Sequence, residues 1–379
     1  MNILSIVFKH KRGGHNRRLY ELYASLADKG HQLYYISSES LPVDHGNIHP
    51  LVSKIPFSSR ENLLFWLMFL TVAVFHVISL SIRCRIDRIV NFSPLYTLLC
   101  VYPIVFNKAR AITFIRADNL LHGTNPLRNL FFHVADRVGL RLSSEIVSVN
   151  RQLQSIYQRR FNLPAARFGV LPNNLPVKGR LDAMGKTGQR RRLGLDGVDF
   201  LVATSAVFSP GKNLDFLIRT LADLGDSVIK LILIGDEEAQ TGERHRLEEL
   251  ACEVGLSDKV LFCGWQEDPL PLVACADLFV FPSRFEGAPN ALLEALGCGI
   301  PCFGSRTPEI AEILDHDELL FSLATRTELA GMIKRAATDI SYYNLIKRLS
   351  QESGRRFLFD WSAAAVELVT SDGLLSGPT

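Results

Sequence analysis

The chain has 379 residues, 47% hydrophobic and 21% charged, with a net charge of +3; this excludes a disordered, collagen-like or small disulfide-stapled protein and leaves room for two or three domains. The small net charge hides a split, because residues 1–170 hold 21 Lys and Arg against 9 Asp and Glu, while residues 199–379 hold 15 against 28. A basic half joined to an acidic half predicts two domains with different partners, the first suited to phosphates, a nucleic acid or an anionic membrane surface.

The opening MNILSIVFKHKRGG places a short apolar run before a basic one, the reverse of a secretory leader. Ile3–Phe8 reads as a strand, followed by a basic loop with Lys9, Lys11, Arg12, Gly13 and Gly14. Arg17–Lys29 reads as a helix stopped at Gly30, and His31–Ser37 as the next strand. Leu64–Ile82 carries no formal charge over 19 residues and just reaches spanning length. It sits inside a β-α series that a bilayer span would split, so the expectation is a buried or interfacial helix. Strands follow at Ile86–Asn91, Ala111–Arg116 and Ile146–Val149, with helical segments between them.

The Gly- and Arg-rich stretch Gly179–Asp199 reads as a linker. Beyond it the alternation resumes, with strands at Phe200–Ala206, Lys230–Gly235, Lys259–Phe262, Leu278–Phe281 and Ile300–Phe303. Helices are expected at Asn213–Leu224, Arg244–Val254 and Pro289–Leu296. The expected fold class is α/β, with two Rossmann-like doubly wound domains facing a central cleft and ligands beyond the carboxyl ends of the strands. The expected plan is a first domain over 1–178, a linker over 179–199, a second domain over 200–340, and returning helices over 341–379. Seven scattered cysteines without a C-x-x-C pair read as reduced thiols.

The most specific stretch is Ala276–Cys302, ADLFVFPSRFEGAPNALLEALGCGIPC. A buried strand runs into a loop with Glu286 and Gly287, and Pro289 and Asn290 open a helix whose N–H groups suit a phosphate. Glu286 and Glu294, facing one opening, suit hydrogen bonds to several hydroxyls, as on a sugar. This segment resembles the signature of glycosyltransferase family four, retaining enzymes of the GT-B fold. Further similarity lies in Gly13–Gly14, in ASLADKGHQLYYIS, in VLPNN at Val170–Asn174, and in FLFDWSAAAVELV near the end.

The resemblance implies that Glu286 binds donor sugar hydroxyls and that Gly287, Ala288, Pro289 and Asn290 lie along the sugar and diphosphate. It implies that Glu294 holds the ribose diol, that Lys212 neutralises the diphosphate, and that Gly14 lets a loop approach the phosphates. Two departures stand out. Ala206–Val207 replaces the family's Gly-Arg, with Arg284, or else Lys9, Lys11 or Arg12, as a candidate substitute. Arg116 in ITFIRADN stands where many members carry a His, which makes Arg116, with Arg12 and His15, a candidate for the acceptor side. Asp315–His316–Asp317 reads as a solvated acidic turn, and no metal or other cofactor is expected.

The implied function is transfer of a sugar from a UDP- or GDP-linked donor to a lipid-linked, lipopolysaccharide or exopolysaccharide glycan. The expected location is cytoplasmic, on the inner face of the membrane, with an anionic membrane surface and no nucleic acid as partner. A sugar-nucleotide epimerase or phosphorylase, or a non-catalytic sugar-nucleotide binder, stays open as an alternative.

Overall fold

The computed structural model describes residues 1–8, 14–53, 63–116, 126–175, 181–195, 197–225, 228–237 and 241–371, and of residues 14–17, 63–67, 126–128 and 183 the backbone alone. The chain divides into two compact units, Met1–Pro172 with Asp360–Thr379, and Asn173–Phe359.

The first unit is built on seven strands: β1 Asn2–Ile6, β2 Gln32–Ser37, β3 Ile48–Val52, β4 Arg88–Asn91, β5 Arg110–Ile115, β6 Glu145–Ser148 and β7 Phe168–Val170. They lie in the order β3-β2-β1-β4-β5-β6-β7, and every pair is parallel. Parallel strands are covered on both faces, and β4, β5 and β6 are buried along nearly their whole length, polar residues such as Asn91, Thr113 and Ser148 included. The helix Leu63–Arg83 joins β3 to β4. Its Phe69, Ala73, Val77 and Leu80 recur at helical spacing and are buried with Leu4, Ile6 and Ile89 of the sheet. The long apolar segment is therefore a sheet-packing helix, and among the described residues no helix is long and apolar enough to cross a membrane. Two strands of this unit have no clear signal in the sequence. The β3 segment IHPLV contains Pro50, which an edge strand accepts, and β7 is only three residues long.

The second unit has six strands: β8 Phe200–Ser205, β9 Ile229–Ile234, β10 Val260–Phe262, β11 Leu278–Phe281, β12 Cys302–Ser305 and β13 Leu320–Phe321. Their order is β10-β9-β8-β11-β12-β13, again all parallel. The chain leaves β8 toward β9 on one side and returns to β11 on the other, so the order reverses between β8 and β11. In such a sheet the crevice that takes ligands opens beyond the carboxyl ends of those two strands.

The expected linker over 179–199 takes a different form. Asp182 caps a helix, Ala183–Arg192, by accepting from the Gly185 N–H at 2.7 Å. That helix is fastened to the start of β11. Arg190 Nη2 donates to Asp277 Oδ2 at 2.7 Å and its Nε to the Cys275 carbonyl at 2.9 Å, while Lys186 Nζ donates to the Ala276 carbonyl at 3.0 Å. Lys186 and Arg190, two of the bases of this stretch, are therefore bonded within the second unit. The chain passes from one unit to the other at Pro172–Asn173 and again at Phe359–Asp360. The helix Ile340–Arg355 belongs to the second unit, and Trp361–Thr370 to the first, where Trp361 is only 1% exposed.

Candidate functional site

Two loops leave the carboxyl ends of β8 and β11. The first turns through a short 3-10 helix, Pro210–Lys212, into Asn213. Asn213 has φ 58°, a left-handed conformation that Asn tolerates better than most residues, and it starts the helix Leu214–Asp223. The second loop runs from Pro282 to Pro289 and opens the helix Asn290–Cys298. The loops are laced together. Asn213 Nδ2 donates to the Pro282 carbonyl at 3.2 Å, the Arg284 N–H donates to the Gly211 carbonyl at 2.9 Å, and Arg284 Nε donates to Asn213 Oδ1 at 3.0 Å. Phe285 lies so close over Gly211 that a Cβ there would sit 2.8 Å from its Cζ, so any larger residue would push the exposed Phe285 ring aside. Ser305, at the end of β12, donates from its hydroxyl to the Ser283 carbonyl and ties the second loop to the sheet.

This lacing brings Lys212 and Glu286 together, with Nζ 2.6 Å from Oε1. The Glu286 side chain is 6% exposed and that of Lys212 26%. The ammonium also lies 5.9 Å from the centre of the Phe281 ring. A carboxylate sheltered by its loop and a partly open ammonium thus share the mouth of the crevice. Such a pair supplies acceptors for hydroxyls and a positive charge for a phosphate from one place. Glu294 stands half-buried in the second turn of the adjoining helix. Gly287 and Ala288 are half-buried in the loop and Pro289 is buried at the helix start. The Asn290 N–H donates to the Ala288 carbonyl at 2.8 Å and its side chain accepts from Asn173, so Asn290 is engaged within the protein. The helix ends at Cys298, with Gly299 at φ 76° supplying the left-handed stop.

Three residues near this site went unremarked in the sequence. Asn213 links the loops, and Asn173 reaches the head of the helix Asn290–Cys298. Glu309 lies in the first turn of the helix Pro308–Leu314; burial pushes its carboxyl above 4.5, and the charges of Glu286 and then Glu312 push it further, against opposing hydrogen bonds from its own backbone and Thr307. The signal for Glu309 was present in Thr307-Pro308-Glu309, a helix-start pattern directly after a strand. Asp315 and Asp317 remain largely exposed, as a solvated turn requires, and pair with Arg356 and Arg306 respectively. Among the described residues no group of three His, Cys, Asp or Glu is placed to hold a metal.

The acceptor-side candidates belong to the first unit. Arg116 follows β5 and is 6% exposed, with Cζ 5.9 Å from the ring centres of both Phe92 and Trp361. Arg18 lies 5.2 Å from the same Trp361 ring and pairs with Glu21 at 2.8 Å. Burial, then the charge of Arg18, pushes the Arg116 guanidinium down to about 9, while Glu21 holds it up. Arg116 is therefore charged at neutral pH, held over the Trp361 ring. Gly14 is the first residue of the helix Gly14–Asp28, and His15 follows it there. Arg12, with Lys9, Lys11 and Gly13, lies outside the described residues.

Comparison with solved structures gives the same two-unit architecture across the whole chain. Anabaena HepE in complex with UDP matches with a TM-score of 0.77 at 18% identity, covering 97% of this chain and 98% of that one. WaaG, a glycosyltransferase involved in lipopolysaccharide biosynthesis, matches at 0.76 and 17% identity over 97% and 100%. The fold is the two-domain GT-B fold. The family model for glycosyl transferases group 1 matches residues 199–339, inside the second unit and across both site loops. Among curated relatives, the N-acetyl-α-D-glucosaminyl L-malate synthase of Bacillus anthracis is 22% identical over 319 residues, 79% of this chain and 77% of its own. The lipopolysaccharide core glycosyltransferase LpsE of Rhizobium meliloti is 36% identical over 168 residues, 44% and 47% of the two chains. The chain thus spans under half the length of this relative in the aligned region. Residues 199–339 thus match the group 1 glycosyltransferases, and the chain as a whole is similar to that family.

Proposed function

We propose that the protein is a retaining hexosyltransferase that moves a sugar from a UDP- or GDP-linked donor to a glycan acceptor, lipid-linked or part of a lipopolysaccharide or exopolysaccharide. The observation that carries this reading is the Lys212–Glu286 pair at the mouth of the second unit's crevice. Support comes from HepE, whose structures are complexes with UDP and UDP-glucose, and from relatives that build lipopolysaccharide core and O-antigen.

In this reading Glu286 accepts hydrogen bonds from donor sugar hydroxyls, and Lys212 Nζ turns one of its three N–H donors to the diphosphate. Glu294 holds the ribose diol, and the chain at Gly287–Asn290 borders the sugar. Lys212 and the helix start meet the charge that grows on the departing diphosphate, so no metal is assigned to that task. The acceptor attacks from the face the diphosphate leaves, which retains configuration, and the protein acts by positioning and by charge stabilisation. Arg284, held by Asn213, stands in for the guanidinium missing at Val207. Arg116 and Arg18 draw an anionic acceptor to the first unit. The protein works in the cytoplasm at the inner face of the membrane.

The test is a thermal-shift titration with UDP and GDP, followed by transfer from the matching nucleotide sugar and determination of the product's anomeric configuration. A nucleotide at about 100 times its dissociation constant adds about 2.7 kcal/mol to stability. An inverted product would overturn the mechanism. Isomerised donor formed without any acceptor would identify an epimerase instead.

A further inference from the structure

The helices that follow β3, β4 and β5 each lead to the next strand on the same side of the sheet, and right-handed crossovers place them side by side on one face. Helix Leu63–Arg83 touches Val101–Phe106, and Pro94–Leu98 touches Pro126–Leu142, as this layering requires. Their inner stripes pack on the sheet. Their outer surface is also apolar: Phe75 is 69% exposed, Ile82 68%, Phe106 71%, and Val105, Leu130 and Val134 are more than half exposed. Phe75 and Ile82 are two turns apart, opposite the buried stripe of Phe69, Ala73, Val77 and Leu80. An ordinary outer helix face is polar, and a run of large apolar side chains across three neighbouring connections marks a surface that another phase or partner covers.

Among the described residues of these connections the exposed charges have one sign. Residues 63–161 contain 12 Lys and Arg against 4 Asp and Glu. Of the four acids, Asp136 and Glu145 are buried, Asp87 is half-buried and accepts from the Asn2 N–H at 2.8 Å, and Asp118 lies outside the described residues. Arg83, Arg85, Lys108, Arg137 and Arg141 are all exposed. Arg83 ends the helix Leu63–Arg83, and Arg85 and Lys108 lie two residues beyond the ends of that helix and of Val101–Phe106, close to Ile82 and Phe106.

We propose that this outer helix layer is the surface by which the protein seats on an anionic lipid bilayer, the apolar side chains entering the headgroup boundary and the bases meeting lipid phosphates. The proposal deepens the acceptor reading above by assigning the membrane contact to particular residues. Apolar side chains ringed by bases, with no exposed acid among the described residues of 63–161, match an anionic bilayer in both respects. A second copy fits worse, because a two-fold contact through this face would set the basic rim against itself. The bases Arg83, Arg85 and Lys108 lie toward the amino ends of the strands, so seating there leaves the carboxyl ends open.

The test is flotation of the full chain with phosphatidylcholine vesicles, with and without phosphatidylglycerol, at low and high salt. Binding is expected only with phosphatidylglycerol and weaker at high salt. Combined Arg83→Gln, Arg85→Gln and Lys108→Gln should weaken it about a hundredfold, from about fivefold per base. Combined Phe75→Ser, Ile82→Ser and Phe106→Ser should weaken it at both salt levels. Both variants change exposed side chains and should melt like the wild type. Wild-type protein that ignores phosphatidylglycerol vesicles at low salt overturns the proposal, as do variants that float like the wild type. So does a wild-type dimer, with no vesicle binding, that the serine variant converts to monomer. The UDP and GDP thermal shift, run on the same samples, reports separately on the donor site: its loss with flotation intact refutes the function and spares the surface, and the converse result does the opposite.

Discussion

The Lys212–Glu286 pair can be isolated by a double-mutant cycle of Glu286→Ala, Lys212→Ala and the combination. The contact is short, 2.6 Å, and its two ends differ, with the carboxylate 6% exposed and the ammonium 26%. A fully exposed pair contributes about 0.2–1 kcal/mol, while a hydrogen bond to a charged group contributes about 1.5–3 kcal/mol. With one partner sheltered and the other partly hydrated, the coupling should fall between, at about 1–2 kcal/mol in urea unfolding. The single variants should differ in kind. Lys212→Ala leaves a sheltered carboxylate without its cation, whereas Glu286→Ala leaves an ammonium that water reaches, so Lys212→Ala should cost more stability. Independent sites add to within about 0.5 kcal/mol. Additivity at that level would refute the pairing, and a larger loss in Glu286→Ala than in Lys212→Ala would refute the account of its burial.

Other consequences concern Glu309 and Trp361. The folded protein raises the Glu309 carboxyl above 4.5, so the native state holds this proton more tightly than the unfolded chain and stability is lost as pH rises past that value. Glu309→Gln should therefore be more stable than the wild type at neutral pH, with the difference closing below 4.5, as pH-dependent melting would show. Trp361→Ala empties a site that is 1% exposed and removes the ring under Arg18 and Arg116; unfolding should become easier by about 3–5 kcal/mol, read by urea denaturation of the full chain.

Much of this was legible in sequence because parallel strands buried on two faces announce themselves. Runs such as LFVF and FLVATS could be placed to within a residue or so, and the loops between them carried the Glu286 and Lys212 motifs. What escaped had weak or misleading local signals. Pro50 hid an edge strand, and β7 and β13 were too short for any period to show. The helix Ala183–Arg192 looked like a linker because its bases form their bonds with distant partners, Asp277 and the Cys275 and Ala276 carbonyls, which only the folded chain supplies. Asn213 and Asn173 were invisible for the same reason. Their amides act across 69 and 117 residues of sequence, and an isolated Asn reads as a turn residue.

The central claim is that the second unit's crevice holds a nucleotide sugar with its parts divided between two glutamates, and calorimetric titration of UDP and GDP into the wild type, Glu294→Ala and Glu286→Ala tests it most directly. One nucleotide should bind the wild type, and Glu294→Ala should weaken it by about 1–3 kcal/mol, the range for losing hydrogen bonds to a charged group. Glu286→Ala should keep that affinity, because the nucleotide does not use it. Equal loss in both variants, or a wild type that binds neither nucleotide, would contradict the account.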